Sequence, residues 1–209
     1  MHCPLCHSQN TTSYHKDNKR SYWQCSHCQL IFVPEQERLR FEDEKKIYDQ
    51  HQNNPQNQGY RDFLNRVCEP LKKYIHKGAH GLDFGSGPGP TLSVILEEQG
   101  YHVDLFDVVY APDNSVFEKQ YDFITATEVF EHLHHPKEEI ERLWTLLKPG
   151  GVLAVMTQYV IDKKSFETWH YIRDPSHVCF YSPPCFDFIA DQLKAQVHYV
   201  EDNVVFFIS

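Results

Sequence analysis

The sequence contains no run of about 18 apolar residues, the length that a membrane-spanning helix needs. Its first residues, Met1-His2-Cys3-Pro4, lack the basic and apolar regions of a secretory signal peptide. An excess of positive charge is also missing, because 20 Lys and Arg residues stand against 29 Asp and Glu residues. A formal net charge of −9 argues against a surface that grips a phosphate backbone. We therefore expect a cytoplasmic protein with no membrane partner, and nucleic acid is the less favoured class of partner.

Cysteine, by contrast, is plentiful: seven cysteines without an export signal point to thiols and metal rather than to disulfides. Cys3-Pro4-Leu5-Cys6 and Cys25-Ser26-His27-Cys28 form two CxxC pairs, separated by residues 7–24. Each pair can turn both sulfurs toward one point, so Cys3, Cys6, Cys25 and Cys28 together can complete a tetrahedral zinc site. Short strands predicted over residues 11–14 and 21–24 complete the layout of a zinc ribbon. Four cysteines leave no open position, so this zinc would be structural; the alternative is four unligated thiols.

Glycine is scarce, with nine residues, yet three stand at alternate positions in Leu82-Asp83-Phe84-Gly85-Ser86-Gly87-Pro88-Gly89. Such a turn lets a strand stop and pass a ligand at close range, because a Cβ would block the ligand or forbid the backbone angles. The dinucleotide pattern G-x-G-x-x-G does not fit, since the third glycine comes one residue early and Pro90 follows it. Asp83 would disfavour a pyrophosphate and would suit a ligand that carries an ammonium and a sulfonium group.

The residues downstream continue an α/β pattern. Residues 101–107 form a predicted strand that ends in Asp107, whose carboxylate can accept hydrogen bonds from both ribose hydroxyls. A second predicted strand over residues 121–127 runs into Glu128-Val129-Phe130-Glu131-His132-Leu133. A helix is predicted over residues 136–147, followed by Lys148-Pro149-Gly150-Gly151 and an apolar strand over 152–156.

The D-x-G-x-G-x-G run, with E-V-x-E-H-L and L-K-P-G-G at these places, resembles the class I S-adenosylmethionine (SAM) methyltransferases over residues 79–157. More loosely, it resembles the ubiquinone-biosynthesis O-methyltransferases. The resemblance implies an α/β, Rossmann-like sheet. Because only a short segment separates Asp107 from Tyr121, we expect that sheet to be reduced at its third strand. We divide the chain into a zinc ribbon (1–34), a helical and polar linker (35–59) and a methyltransferase domain (60–209).

The resemblance also implies SAM as the cofactor and assigns its contacts. The backbone at Gly85 to Gly87 would approach the methionine part, Asp83 would balance the amino group, and Val108 would lie against the adenine. The full set of implied cofactor-binding residues is Asp83, Phe84, Gly85, Ser86, Gly87, Gly89, Asp107, Val108, Thr127 and Glu128. Asp104 is the rival acid for the ribose, but strand alternation points it to the opposite face from its neighbours.

Two features point to the methyl acceptor. Glu128, Glu131 and His132 fall at i, i+3 and i+4, one face of a helical turn. In ubiquinone-biosynthesis O-methyltransferases a similar run is associated with a divalent metal that places a catechol-like oxygen, so the resemblance implies a second metal here; the alternative is that Glu131 and His132 orient a loop by hydrogen bonds. The aromatic and histidine-rich stretch 169–182 lies where this fold caps its substrate, which makes His170 and His177, with His132, candidate general bases. His177 could instead cap the next helix.

We therefore predict a SAM-dependent methyltransferase that acts on a small molecule, most favourably at oxygen. No Asn/Asp-Pro-Pro-aromatic tetrad follows the strand that ends at Thr127, which disfavours methylation of planar amines. One alternative is a ribosomal or transfer RNA methyltransferase that docks RNA through the ribbon, where Lys16, Lys19 and Arg20 supply positive charge. Another is a non-enzymatic protein whose zinc ribbon binds a partner.

Overall fold

The computed structural model describes residues 1–50 and 53–209 and arranges them around two β-sheets. Along the chain the elements are β1 (Thr11–Lys16), β2 (Ser21–Cys25), β3 (Ile31–Phe32), α1 (Phe41–Tyr48), α2 (Gln58–Leu71), β4 (His80–Phe84), α3 (Thr91–Glu98), β5 (His102–Phe106), β6 (Tyr121–Thr127), α4 (Pro136–Thr145), β7 (Leu147–Met156), α5 (Lys163–Thr168), β8 (Cys179–Phe180), α6 (Pro183–Leu193), β9 (Gln196–Glu201) and β10 (Val204–Ile208). Short 3-10 helices cover Glu35–Glu37, Asn114–Glu118, Phe130–His132 and His170–Arg173.

The larger sheet has six strands in the order β5-β4-β6-β7-β10-β9. The first four are parallel, and β10 pairs antiparallel with both β7 and β9. Alternate residues of β7 point to opposite faces: Ala154 packs in one core with α2 and α3, and Val155 packs in the other with α4 and α6. This arrangement confirms the predicted Rossmann-like fold.

The reduction of the sheet at the third strand is also confirmed within the described residues. Between Asp107 and Tyr121 the chain makes an isolated bridge from Asp107 to Ala111 and then the 3-10 helix Asn114–Glu118. Asp113 caps that helix by accepting a hydrogen bond from the Ser115 amide at 2.9 Å. As a result, β5 forms one edge of the sheet.

The smaller sheet has the order β1-β2-β3-β8, with every pair antiparallel. Its fourth strand comes from far along the chain, because Ile31 pairs with Phe180. Tyr22, Phe166 and Phe180 meet edge to face beneath this sheet, with ring centroids 5.2 to 5.7 Å apart. These rings belong to the same buried cluster as the face of the large sheet that carries α4 and α6, so the N-terminal segment shares a core with the large sheet.

Several element boundaries differ from the predicted ones, most clearly around β7 and at the start of α2. The helix predicted over 136–147 ends at Thr145, and β7 begins at Leu147 rather than at residue 152, because Leu147 pairs with Tyr121 of β6. The backbone of Gly150 and Gly151 pairs with Ser209. The helical and polar linker was predicted over residues 35–59, of which 51 and 52 lie outside the described part of the chain. Within that linker α2 already begins at Gln58, since the Asn57 side chain caps it by accepting from the Tyr60 amide at 3.0 Å.

No helix in the described ranges 1–50 and 53–209 combines the length and the apolar character needed to cross a bilayer.

Candidate active site

A cavity of about 970 Å³ lies at the carboxyl ends of β4, β5 and β6. Small-molecule sites usually measure about 300–1,000 Å³, so this cavity is among the large ones. Its walls come from the glycine-rich turn after β4, the loop after β5, the segment after β6, helix α1 and the 3-10 helix His170–Arg173. Nine of the ten predicted cofactor residues line it; the tenth, Gly89, packs against Asn53 instead.

The glycine-rich turn is tight at both ends. Gly85 has a φ of +78°, and a Cβ built there would lie 2.4 Å from a methyl carbon of Val129. At Gly89 a Cβ would lie 1.7 Å from the carbonyl oxygen of Asn53. The amides of Gly85 and Ser86 both donate to the carbonyl of Phe106, at 2.7 and 3.1 Å, so the turn is tied to the end of β5.

Asp107 closes the gap between that turn and β5. One of its carboxylate oxygens accepts from the Gly87 amide at 2.9 Å, and the other accepts from the amides of Val109 and Tyr110 at 2.8 and 3.0 Å. A carboxylate accepts about four hydrogen bonds, so roughly one position is left for a ligand hydroxyl. The rival acid Asp104 instead bonds to Lys119, Tyr121 and His80 away from the cavity.

Asp83 lies beneath the turn and is only 2% exposed. Burial raises the pKa of its carboxyl to about 7; a 2.9 Å hydrogen bond from the Thr125 hydroxyl opposes this shift, and the nearby charge of Asp107 adds to it. A ligand ammonium group would favour the ionised form. Beside it the buried hydroxyl of Ser86 has no hydrogen-bond partner in the described chain, so a polar ligand group fits there.

The segment after β6 departs from the prediction. Glu128 has a φ of +53°, and only Phe130–His132 forms a 3-10 helix. Glu128, Glu131 and His132 therefore do not share one face of a continuous helical turn, because the left-handed backbone at Glu128 redirects the chain. The donor atoms that lie within 4.8 Å of one another are those of Glu131, His132 and His177.

Two neighbouring carboxyl groups are buried at this point. Glu131 is fully buried; one of its oxygens accepts from the Tyr171 hydroxyl, which also lies 3.1 Å from the Thr157 hydroxyl. The other oxygen of Glu131 and one oxygen of Glu128 have no partner in the described chain. Burial and the charge of Glu131 raise the pKa of Glu128 to about 9. Unpartnered buried oxygens of this kind suit a cation or hydrogen-bond donors.

All three predicted histidines line the same cavity. His177 is 8% exposed, and its Nδ1 lies 2.8 Å from the Tyr171 carbonyl, which can only accept; Nδ1 therefore donates and Nε2 is left with its lone pair. Burial and the nearby His132 lower the pKa of His177 to about 4, which keeps the ring neutral. The N-cap of α6 is Ser182, so His177 does not cap that helix.

The other two histidines differ in exposure. The Nδ1 of His132 lies 3.2 Å from the carbonyl of Ser176, so this nitrogen also donates. His170 is exposed at the rim, with its Nε2 3.4 Å from the side-chain nitrogen of Gln158.

Sequence reasoning missed two contributors to this site. Tyr171 lies inside the aromatic stretch that was predicted to cap the substrate, and the density of aromatic residues was the only signal for it. Helix α1 lines the cavity, and its Glu44 bonds to His134 at 2.7 Å. Asp49, the residue that follows this helix, accepts from the Tyr110 hydroxyl at 2.7 Å. Nothing local in the sequence indicates these contacts, because they join segments 61 to 90 residues apart.

The four predicted ribbon cysteines form a second site. The sulfur atoms of Cys3 and Cys28 are 3.4 Å apart, those of Cys6 and Cys25 are 3.5 Å apart, and all four lie within 4.8 Å of one another. Zn–S bonds of about 2.3 Å in a tetrahedron place sulfurs about 3.8 Å apart, so the spacing of the four sulfurs is compatible with a zinc site.

Comparison with known proteins agrees with the geometry. A protein-family model described as a methyltransferase domain matches residues 50–193. The ubiquinone biosynthesis O-methyltransferase of Maricaulis maris (strain MCS10) is 32% identical over 93 residues, or 44% of this chain and 35% of that protein. That of Aeromonas salmonicida (strain A449) is 30% identical over 83 residues, or 39% of this chain and 35% of that protein. The chain thus spans about a third of the length of these curated relatives.

Among solved structures, human N-acetylserotonin methyltransferase in complex with SAM is similar, with a TM-score of 0.55 and 12% identity. The match covers 73% of this chain and 56% of that chain. At this identity the likeness shows the fold alone.

Proposed function

We propose that this chain, which belongs to the methyltransferase-domain family, is a SAM-dependent methyltransferase that methylates an oxygen atom of a small, neutral or cationic molecule. The observation that carries this proposal is one continuous cavity with two different halves. The glycine-rich turn and Asp107 form the cofactor half. Glu131, His132 and His177 form the acceptor half.

In the cofactor half, SAM supplies an activated methyl group for displacement at carbon. Asp83 would balance the ammonium group of SAM, and that charge would favour the ionised carboxylate. The Ser86 hydroxyl, unpartnered and buried, takes a polar atom of the methionine part. Asp107 would accept from a ribose hydroxyl with its remaining position, and Val108, 61% exposed beside it, would lie against the adenine. Position and orientation, rather than further activation, are what these residues contribute.

The charge of the cavity defines the acceptor. Arg142 is its only lining Lys or Arg in the described chain, and it pairs with Glu139. The lining carboxyl groups are those of Glu44, Asp83, Asp107, Glu128, Glu131, Glu139 and Asp174. Glu128 carries no charge at neutral pH because its pKa is raised to about 9, but the other carboxyl groups still outnumber the single arginine. An excess of carboxyl groups disfavours anions, so a neutral or cationic acceptor fits better than a carboxylate or phosphate.

His132 is the proposed general base. Its Nδ1 donates to the Ser176 carbonyl, so its Nε2 is free to take the proton of an acceptor hydroxyl. His177 stays neutral and orients the acceptor with Glu131, which the Tyr171 hydroxyl holds in place. His170, at the rim, contacts the entering acceptor.

In place of base catalysis by His132, Glu131, His132 and His177 would form a donor set for a divalent cation, with one carboxyl group and two imidazoles. Such a cation would polarise the acceptor oxygen as a Lewis acid. Orientation by hydrogen bonds alone is the alternative. Two results together would exclude this cation. The purified protein would hold one zinc per chain, which Cys3→Ser removes, and methyl transfer would persist in the presence of a chelator.

For the N-terminal cluster, we propose a structural zinc held by Cys3, Cys6, Cys25 and Cys28. After each CxxC pair the chain turns back through a left-handed residue, His7 at φ +57° and Gln29 at φ +62°. The amides of these residues donate to the carbonyls of Cys3 and Cys25 at 2.9 and 3.0 Å. Both pairs are thereby held with their sulfurs toward one point.

RNA methylation receives less support. Of the three basic residues that favoured it, Arg20 is only 6% exposed and its guanidinium is bonded to protein carbonyls. Lys16 and Lys19 alone make a weak phosphate-binding surface on a chain with a net charge of −9.

The test is transfer of a labelled methyl group from SAM into a fractionated extract of the source cells. Label in the low-mass, nuclease-resistant fraction is the expected result. Label that becomes soluble only after ribonuclease treatment would overturn the small-molecule proposal. Asp107→Ala, which removes the ribose contact, serves as the inactive variant, and Asp113→Asn, which keeps a capping side chain in the same loop, is its matched control.

A further inference from the structure

A single buried arginine of the N-terminal sheet is bonded to the loop that carries the acceptor histidines. Arg20 stands at the end of the β1–β2 turn and is 6% exposed. Its guanidinium donates to the carbonyls of Ile172, Asp174 and Pro175 at 2.9, 2.7 and 2.9 Å. Its Nε donates to the Tyr22 hydroxyl at 3.0 Å. Every nitrogen of this side chain thus has a partner.

The same loop is bonded from its other side by the histidines of the cavity. His177 donates to the Tyr171 carbonyl at 2.8 Å, and His132 donates to the Ser176 carbonyl at 3.2 Å. The carbonyls of residues 171–176, which we name the carbonyl row, therefore lie between Arg20 outside and two imidazoles inside. Moving this row would move both rings.

The chain just after the row is tied to two neighbouring segments. The Val178 amide donates to the Glu131 carbonyl at 2.7 Å, and the Val33 amide donates to the Val178 carbonyl at 2.9 Å. Val178 therefore links Glu131, a member of the acceptor cluster, to the N-terminal sheet. No comparable link reaches Asp107 or the glycine-rich turn from that sheet among the described hydrogen bonds.

From these contacts we infer that Arg20 is a positioning residue, through which the N-terminal sheet fixes the acceptor half of the cavity and leaves the cofactor half unaffected. The assignment of the two halves rests on the proposed function; the contacts do not. A guanidinium suits this task because its planar fork offers five donors in a fixed geometry, and three carbonyls at different angles can be bonded at once. A lysine ammonium, a single point of charge, cannot reproduce that geometry.

The test compares Arg20→Met and Arg20→Lys with the matched control Lys19→Met, an exposed basic residue of the same turn. Amide hydrogen exchange is measured on all three variants. We expect exchange in residues 172–178 to accelerate about tenfold or more in Arg20→Met, because hydrogen bonds from a charged donor are lost. Arg20→Lys should recover part of the protection, and Lys19→Met should match the wild type.

The second readout separates positioning from general destabilisation. The dissociation constant for S-adenosylhomocysteine, measured by calorimetry, should stay within about twofold of the wild type in both Arg20 variants. In the labelled-methyl assay, Arg20→Met should need more acceptor extract for half-maximal transfer while its half-saturation for SAM stays the same. If the wild type transfers no label, the proposed function fails, and the exchange and calorimetry results still decide the inference.

Unchanged exchange in 172–178 would overturn the inference. So would a parallel loss of cofactor affinity and of protection throughout the large sheet, since Arg20 would then serve stability alone. If Arg20→Met does not fold, Arg20→Lys decides by the same two readouts.

Discussion

Gly85 and Gly150 share a backbone φ of +78° in two different surroundings. At Gly150 a Cβ would meet nothing within 4 Å, whereas at Gly85 it would meet the stiff side chain of Val129 at 2.4 Å. Alanine at either position costs about 1–2 kcal/mol for the left-handed backbone. We therefore predict that Gly85→Ala and Gly150→Ala lower the thermal midpoint, and that only Gly85→Ala also weakens binding of S-adenosylhomocysteine by about tenfold or more.

Calorimetry at one temperature, with unfolding scans of the same samples, checks this pair. Equal affinities for the two variants would mean that the turn tolerates a side chain and that its close approach to Val129 does not shape the cofactor half.

The buried carboxyl of Glu128 predicts a pH dependence of stability. Its pKa rises from an ordinary 4.5 to about 9 in the folded protein, so the folded state holds the proton more tightly than the unfolded state. The stabilisation is fully present below about pH 4.5 and is lost as the pH rises through about 9. Glu128→Gln removes the titrating carboxyl and with it this loss of stability at high pH. The free energy of unfolding of Glu128→Gln, relative to that of the wild type, should therefore increase steadily between pH 5 and pH 9.

Urea midpoints across that range provide the measurement. Glu97→Gln, which changes an exposed carboxyl on α3, should give a curve parallel to the wild type because water screens the charge. A constant offset between Glu128→Gln and the wild type would contradict the prediction.

At the scale of elements, the pairing of β3 with β8 connects the cysteine cluster to the acceptor loop. Cys25 ends β2 and Cys28 precedes β3, so a zinc at the cluster would hold the two central strands of the small sheet together. We predict that removal of zinc by a chelator raises amide exchange both in residues 1–34 and in residues 178–181, while β4 and β5 keep their protection.

Mass spectrometry of the metal-loaded and chelated protein tests this, with Cys3→Ser as the genetic equivalent. Cys68→Ser, a buried cysteine on α2 outside the cluster, controls for the loss of a thiol. An increase confined to residues 1–34 would show that the fourth strand does not depend on the metal.

The elements that could be predicted from sequence are those with local signals. The glycine turn after β4, the acid that ends β5 and the CxxC pairs each depend on residues a few positions apart. The missing third strand also had a local signal, the short distance from Asp107 to Tyr121. What could not be predicted joins distant segments: β8 beside β3, Arg20 beside the carbonyl row, and His177 beside Glu131. Hydrophobic periodicity contains no information about such pairings.

The left-handed backbone at Glu128 was not predicted, for a different reason. The spacing of Glu128, Glu131 and His132 matched a helical turn, and a non-glycine residue at positive φ has no reliable sequence signal. The tertiary bond from the Glu128 amide to the Met156 carbonyl, at 2.8 Å, holds it in this conformation.

At the scale of the whole molecule, the acidic balance of the chain predicts how transfer responds to salt. Binding to a phosphate backbone through six to ten contacts weakens by about 10³–10⁵ between 50 and 200 mM salt. This loss arises because the bound protein releases the counterions condensed on the phosphates, and a small acceptor in an acidic cavity carries no such counterions. We predict that the rate of methyl transfer at a fixed concentration of the low-mass fraction changes less than about twofold over this range.

A scintillation assay at several salt concentrations checks this, with purified total RNA from the same cells as the comparison acceptor. A steep loss of transfer with rising salt, seen with the RNA fraction alone, would favour the RNA alternative.

The fourth strand of the small sheet has a consequence for biosynthesis. Arg20 bonds to the carbonyl of Ile172, 152 residues further along the chain. Strand β3 pairs with β8, which is synthesised only when translation reaches about residue 180. The small sheet is therefore completed only after β4 to β7 of the large sheet have been synthesised. Until then β3 presents an open edge, the kind of surface on which nascent chains associate wrongly. Early binding of zinc to the four cysteines would order residues 1–34 before β8 is synthesised.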